Sequence, residues 1–177
     1  MKRNWGKSVF IGVSILAVCA MFLALQPTPT KVRVGTFDSR AVAIAYARSA
    51  LAAPVMKDWR DKYEKAKAEK NEEIIKECEA WGTTHQQLLH LQCFSIGSVA
   101  DILEKVKDNL PKIAQEAGVD IIVSKWEVVY KNLSIEIVDV TSHLAKLFNP
   151  NEQTLKIIEE LAKQPPTPLL EALQIKD

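Results

Sequence analysis

The hydrophobic and polar positions of this 177-residue chain alternate at the start of its main body and then change to a helical period. At residues 31–37 valines alternate with polar residues, which predicts a strand. Asp38 or Ser39 is placed to cap a following helix with its side-chain oxygen. Residues 40–52 are rich in alanine and favour helix, which Pro54 should then interrupt.

A long helical segment follows, with charged residues on most of its surface and one narrow apolar stripe. The residues of this stripe are Trp59, Tyr63, Ala66, Ile74, Cys78 and Trp81. Residues 82–84 (Gly-Thr-Thr) predict a break in the helix. A second amphipathic segment then continues to residue 113. Because so narrow a stripe forms no core alone, the pattern predicts an antiparallel helical hairpin over about residues 40–117.

Strand-like segments return after the hairpin. Residues 119–124 and 127–130 predict two short strands, and residues 134–140 predict a third. A short helix is expected at residues 141–148. Residues 149–177 predict a C-terminal helix that ends in a proline-rich tail.

These elements predict an α+β fold, in which residues 32–148 form a small β-sheet body with the helical hairpin inserted into it. A sheet of three or four short strands has exposed edges and buries little area. Oligomerisation is a simple remedy, because several chains would pool their strands into one barrel-like core. The residues predicted for this oligomer core are Val32, Val34, Ile121, Ile122, Val123, Val128 and Tyr130.

The first 25 residues form a separate N-terminal segment. Three basic residues precede an uncharged apolar stretch at residues 8–25, which as a helix would be about 27 Å long, close to the hydrocarbon thickness of a bilayer. An uncleaved signal-anchor helix, a cleaved signal peptide and lipidation of Cys19 are the three interpretations of this segment. In each of them the rest of the chain is exported, behind an extended linker at residues 26–31.

Charge and the absence of catalytic motifs narrow the range of functions. The chain has 23 Lys and Arg against 22 Asp and Glu, and removing the three basic residues of the N-terminal segment leaves a net charge of −2. This balance gives no basic excess for binding nucleic acid. The sequence contains no nucleophile elbow and no Gly-rich phosphate loop, so it predicts neither an enzyme nor a bound cofactor.

The order and spacing of these elements resemble the OmpH/Skp family of periplasmic chaperones over about residues 31–147. The similarity rests on "KVRVGTFDSRAV" at the front and "AQEAGVDIIVSKWEVVYKNLSIEIVDVTSHL" at the back. The resemblance implies a periplasmic homotrimer, whose small β-barrel carries helical arms that hold unfolded outer-membrane proteins without ATP. The chain departs from the family in its near-neutral charge, in the tryptophans and cysteines of its hairpin, and in the added residues 149–177.

Two cysteines lie on either side of the predicted hairpin break. A disulfide between Cys78 and Cys93 would clamp the hairpin tip of an exported protein, and two buried thiols at the helix seam are the alternative. With His85 and His90 the cysteines also form a weak candidate zinc site. The spacing C-x6-H-x4-H-x2-C, however, matches no common zinc motif.

The aromatic residues of the hairpin have two interpretations as well. Trp59, Tyr63 and Trp81 belong either to the hairpin core or to an apolar surface that contacts clients. Two functions are therefore expected. The first is an ATP-independent holdase chaperone on the periplasmic side of the envelope, which binds unfolded outer-membrane or envelope proteins between helical arms. The second is a structural or adaptor protein, tethered to the inner membrane by residues 8–25, whose hairpin binds one specific envelope partner.

Overall fold

The computed structural model describes residues 31–175 of the 177-residue chain. The apolar segment at residues 8–25 and nearly all of the predicted linker lie outside these described residues. Over residues 31–175 no helix is long and apolar enough to cross a membrane. The elements in chain order are β1 (Arg33–Phe37), α1 (Ser39–Ala47), α2 (Ala53–Ala68), α3 (Glu72–Phe94), α4 (Ala100–Glu104), α5 (Leu110–Ala117), β2 (Ile121–Ser124), β3 (Glu136–Asp139), α6 (Thr141–Lys146), α7 (Glu152–Ala162) and α8 (Leu169–Ala172).

The three strands form one parallel sheet in the order β2-β1-β3, so the first strand of the sequence lies in the centre. Val34 of β1 pairs with Ile121 on one side and with Ile137 on the other. Paired residues of parallel strands share a face of the sheet. The face that packs against the helices carries Phe37, Ile122 and Val138. The opposite face, called the open face below, carries Val34, Ile121, Val123 and Ile137.

Helix α1 is the centre of the helical layer. Helices α3, α6 and α7 all pack against it, and its alanines let their backbones approach closely. Its first turn is capped by Asp38, whose carboxylate accepts a hydrogen bond from the amide of Arg40 at 3.0 Å, as the sequence predicts. The fully buried side chains around it include Val42, Ile102 and Leu144. The prediction of helices combined with a small sheet is therefore confirmed.

Helices α2 and α3 form a hairpin, but its turn lies at residues 69–71 and not at residues 82–84. The predicted break lies inside α3, and the helix accommodates it in two ways. The hydroxyl of Thr83 donates to the carbonyl of Glu79 at 3.0 Å, and that of Thr84 donates to the carbonyl of Ala80 at 2.9 Å. Both threonines are thus satisfied within the helix, so the break predicted there is wrong.

The hairpin turn is built from local backbone hydrogen bonds. Lys70 adopts a left-handed conformation with a φ of 54°. Its amide donates to the carbonyl of Lys67 at 3.2 Å, and the amide of Asn71 donates to the carbonyl of Ala66 at 2.9 Å, which together form a Schellman motif. Asn71 then caps α3, because its side chain accepts a hydrogen bond from the amide of Ile74 at 3.2 Å. One motif therefore ends α2 and begins α3.

We expect Lys70→Gly to raise the free energy of unfolding by about 1 kcal/mol, because a lysine in the left-handed region incurs a steric cost that glycine avoids. Urea unfolding of the purified protein measures this difference. Lys67→Gly is the matched control, since it places glycine inside the last turn of α2, where it should lower the free energy by about 1 kcal/mol. Equal destabilisation by both changes would contradict a turn at residue 70.

The second arm of the hairpin is shorter than the sequence predicts. Helix α3 ends at Phe94, whose carbonyl accepts a hydrogen bond from the amide of Thr167 at 2.8 Å. The hydroxyl of Ser95 donates to the carbonyl of Thr167 at 2.6 Å. Helix α8 then packs against α3 with Ala172 fully buried. The proline-rich tail therefore docks at the base of the hairpin, and residues 95–99 leave the helix there.

The strand predicted at residues 127–130 is wrong. The hydroxyl of Ser124 accepts a hydrogen bond from the amide of Trp126 at 3.4 Å, and the chain turns in a 3-10 helix at the end of β2. Because β3 runs parallel to β2, residues 128–135 must return to the opposite end of the sheet. Of the residues predicted for an oligomer core, the single chain leaves Val32, Ile121 and Tyr130 exposed, and Val34, Ile122, Val123 and Val128 half-buried.

Candidate binding groove and polar cluster

An apolar groove runs along the hairpin between α2 and α3. It consists of two depressions of about 430 Å³ and 240 Å³ that share Met56, Trp81 and Gly82. We call the two depressions together the hairpin groove. A Cβ atom added to Gly82 would meet no atom within 4 Å, so the glycine borders open space. The remaining residues that line the groove are Trp59, Arg60, Tyr63, Cys78, Glu79, His85, Gln86, Leu89, His90, Cys93 and Phe94.

Three stacked rings form one wall of the groove. The ring centroids of Trp59 and Trp81 are 4.5 Å apart with an interplanar angle of 13°, and those of Trp81 and His85 are 4.6 Å apart with an angle of 11°. The ammonium of Lys62 lies 4.6 Å from the centroid of Trp59 and 2.8 Å from the carboxylate of Glu77. The stack therefore joins the two helices and holds the wall in place.

The structure does not decide between the two interpretations of the hairpin aromatic residues that the sequence leaves open. Trp59, Tyr63 and Trp81 are half-buried, and each of them also lines the groove. The charged residues of α2 form pairs one turn apart, such as Lys57 with Asp61 at 3.9 Å. Such exposed pairs contribute little to stability and are typical of a solvated surface. The hairpin thus has a charged back and an aromatic, partly open groove.

The predicted disulfide between Cys78 and Cys93 is wrong for the single chain. Both thiols are free, and both residues belong to α3. Fifteen helical residues separate them by about 22 Å, whereas a disulfide requires Cα atoms within roughly 7 Å. His85 and His90 lie on the same helix. Among the described residues, no three or more His, Cys, Asp or Glu side chains are grouped to hold a metal ion.

Two titratable groups of the groove, Cys93 and His85, have pKa values shifted toward their neutral forms. Burial raises the pKa of the Cys93 thiol to about 12, so it is not a reactive thiolate at neutral pH. Burial lowers the pKa of His85, and the charge of Asp101 opposes this shift only in part. The imidazole stacked on Trp81 is therefore mainly uncharged at pH 7. The groove is suited to apolar contact rather than to proton transfer.

A second feature is a polar cluster at the carboxyl ends of the strands. Asp38, which follows β1, is buried, and its carboxylate accepts hydrogen bonds from Arg40 at 3.1 Å and 2.8 Å. Lys125, which follows β2, lies 2.8 Å from the same carboxylate. The amide of Asp38 donates to the hydroxyl of Thr141, next to β3, at 2.9 Å. The cluster therefore ties together the ends of all three strands.

Every charged group of this polar cluster has a partner. Burial alone would raise the pKa of Asp38, but hydrogen bonds and charge from Arg40 and Lys125 outweigh it and leave the pKa below its usual value. The guanidinium of Arg40 also donates to the carbonyls of Gln164 and Leu161 at 3.1 Å and 3.4 Å. It thereby holds the end of α7 against the start of α1. The cluster is built to join elements, not to react.

This cluster was not predicted from the sequence, although the sequence contains one signal of it. Arg40 is a single charged residue at the start of a helix whose next six residues are apolar. A helix without a polar face is buried, so its one arginine needs a buried partner, and Asp38 stands two residues before it.

No protein-family model, curated protein or solved structure matches this chain.

Proposed function

We propose that this protein is an ATP-independent holdase chaperone of the periplasm, which binds apolar segments of unfolded outer-membrane or envelope proteins in the hairpin groove. The observation that carries the proposal is the groove itself, an open apolar surface between two long helices with a stacked aromatic wall. Aromatic side chains offer large contact area and tolerate varied partners. The resemblance in element order to the OmpH/Skp family adds support for the client class.

The groove has the features that weak and general binding requires. The charged residues that line it, Arg60 and Glu79, are exposed, so an apolar segment can bind there without burying an unpaired charge. Met56 is 41% exposed and lies where both depressions meet. Methionine adapts its shape to different partners. Binding of this kind uses no ATP and no precise catalytic geometry.

The experiment that tests the proposed function is suppression of light scattering. A denatured outer-membrane barrel protein is diluted into buffer with and without the full chain, and its aggregation is followed over time. We expect scattering to fall as the chain is added and to be nearly abolished at several-fold molar excess. Unchanged scattering at that excess would remove the proposal.

We further propose that the chain acts as a homotrimer, in which the copies cover the open faces of one another's sheets at a shared core. Parallel sheets are usually buried on both faces, yet the helices of residues 31–175 pack on one face of this sheet. Ile121 on the open face is 51% exposed. Copies of the chain would supply the missing cover.

We expect Ile121→Asp to dissociate the trimer without unfolding the chain, because a carboxylate on the open face is solvated in the monomer but costly at an interface. Ile122 points to the helical core, so Ile122→Asp should unfold the chain. Leu170→Asp is the control, because Leu170 in α8 is 75% exposed. This change should leave the trimer assembled. Native mass spectrometry with circular dichroism gives both readings. A wild-type monomer would contradict the shared core.

A membrane-tethered adaptor is the second candidate. One observation favours it: the stack of Trp59, Trp81 and His85 is fixed in shape by contacts between the helices, and a preformed surface suits one specific partner. Crosslinking followed by purification from membranes separates the two functions. One stoichiometric partner would favour the adaptor, and many unfolded clients would favour the holdase.

A further inference from the structure

A slot of about 270 Å³ lies where β1 and β2 end, between β2 and residues 96–100. Ile122, Val123 and Ser124 all line it, although consecutive side chains of a strand point to opposite faces. The slot therefore borders the backbone at the end of β2 and does not lie above one face of the sheet alone. The other residues that line it are Phe37, Ser39, Ile96, Gly97, Ser98, Val99, Ala100, Leu103 and Glu127.

The edge of the sheet at this slot has free pairing capacity. β2 pairs with β1 on one side, and within residues 31–175 no strand pairs with its other side. The outward-pointing amide and carbonyl groups of such an edge form a template for another extended chain. Four residues of edge at about 3.3 Å each offer roughly 13 Å of backbone.

Ser39, which lines the slot, has a buried hydroxyl without a hydrogen-bond partner in the described chain. The residue is only 2% exposed. It is the first residue of α1 and follows Asp38 directly after β1. In open parallel sheets, ligands bind outside the carboxyl ends of the strands, which is where this hydroxyl lies. A ligand donor or acceptor that reached this hydroxyl would satisfy it.

The lining of the slot defines the class of ligand. Glu127 alone among the described lining residues carries a charge, and the rest are apolar or hydroxyl-bearing. An acidic or phosphorylated ligand is therefore disfavoured. The volume lies just below the range of roughly 300–1,000 Å³ that is typical of small-molecule pockets. A short stretch of extended, uncharged polypeptide fits both the size and the free edge.

We propose that the outer edge of β2 binds an extended, uncharged polypeptide segment as an added strand, with Ser39 as a hydrogen-bonding group at the end of the slot. Strand addition of this kind takes affinity from the backbone and tolerates varied side chains. The inference rests on the proposed holdase function, because it adds a second contact for the same unfolded clients. The hairpin groove binds apolar side chains, and the β2 edge binds extended backbone.

The test uses two synthetic peptides with identical side chains. One is a capped peptide of alternating valine and threonine, and the other carries N-methyl groups on alternate residues and so lacks those backbone donors. Binding of each to the full chain is measured by fluorescence anisotropy. We expect the N-methylated peptide to bind at least about tenfold more weakly. Equal affinity would overturn strand addition.

Three variants locate the binding site. Ala100→Phe fills the slot from an exposed position and should weaken binding of the unmethylated peptide at least about tenfold. Ala68→Phe makes the same change at an exposed position of α2 outside the slot and should leave binding unchanged. Ser39→Ala removes the unpartnered hydroxyl and should weaken binding about threefold or more without lowering the thermal midpoint. Full binding by Ala100→Phe would overturn the proposed site.

Separate readings distinguish this inference from the proposed function. Failure of the wild-type chain to suppress light scattering would remove the holdase proposal. Suppression with equal binding of both peptides would leave the holdase standing and overturn the β2 edge alone. Self-association that Ala100→Phe abolishes in the absence of peptide would show that a second copy occupies the edge, and would likewise overturn the inference.

Discussion

Arg40→Met is expected to lower the free energy of unfolding by about 3 kcal/mol. Removal of one partner from a buried ion pair typically costs 3–5 kcal/mol, because the other charge stays buried without compensation. Lys125 still reaches the Asp38 carboxylate at 2.8 Å, and its side chain is 36% exposed, so the lower end of that range is expected. The carbonyls at the end of α7 also lose their donors. Urea unfolding with linear extrapolation measures the change.

The double variant Asp38→Asn with Arg40→Met is the matched control, and it should lose less stability than Arg40→Met alone because no buried charge is left unpaired. The pH dependence gives an independent reading. The folded-state pKa of Asp38 is below its unfolded value, so its contribution is complete above the unfolded pKa and is lost as pH falls through the folded one. The wild type and Arg40→Met should therefore converge in acid. A loss below about 1 kcal/mol at pH 7 would contradict the described role of Arg40.

Gly82→Trp is expected to weaken client binding at least about tenfold, which corresponds to about 1.4 kcal/mol. The added side chain enters open space in the groove, since a Cβ there meets no atom within 4 Å. The fold should tolerate it, because glycine is a poor helix former and position 82 lies within α3. Light-scattering suppression and the affinity for an apolar client peptide provide the measurement.

Gly82→Ala separates the effect of volume from the effect of helix stability. Alanine should raise the free energy of unfolding by about 0.5–1 kcal/mol while leaving the groove open. Its suppression of aggregation should match the wild type. If Gly82→Trp suppresses aggregation as well as Gly82→Ala does, clients do not enter the hairpin groove.

Local features were predictable from the sequence where one residue decides them. Asp38 caps α1, and Asn151 caps α7 by accepting a hydrogen bond from the amide of Thr154 at 2.9 Å. Pro54 lies in the first turn of α2, and Gly118 ends α5 with a φ of 63°. In each case the deciding feature is a side-chain oxygen, a missing amide hydrogen or a missing Cβ. Its effect is limited to a few neighbouring residues, so the local sequence is enough to predict the helix end.

The position of the hairpin turn was not predictable from the apolar pattern. The left-handed residue is Lys70 rather than a glycine, and the glycine at position 82 lies within a helix. The turn decides which aromatic residues meet. Trp59 and Trp81 are each eleven residues from Lys70, so they stack across the hairpin. A turn at residues 82–84 would have placed Trp81 at the tip of the hairpin. Trp59 would then not have stacked on Trp81.

The order of the strands depends on contacts far apart in the sequence. β1 pairs with both later strands. No local sequence pattern indicates that the first strand of the chain lies at the centre of the sheet. The polar cluster depends on the same order, because Lys125 reaches Asp38 only when β2 lies beside β1. The sequence identifies the aromatic residues of the hairpin stripe, but their arrangement into a groove follows from the turn.

Site-specific photocrosslinking tests the central claim most directly. A photoreactive phenylalanine analogue replaces Met56 in the hairpin groove, or Lys76, which is exposed on α3 outside it. Each variant is mixed with the same denatured outer-membrane barrel protein and irradiated. If the groove holds clients, position 56 gives a strong crosslinked product and position 76 gives little. Equal yields from both positions, or a higher yield from position 76, would contradict the claim.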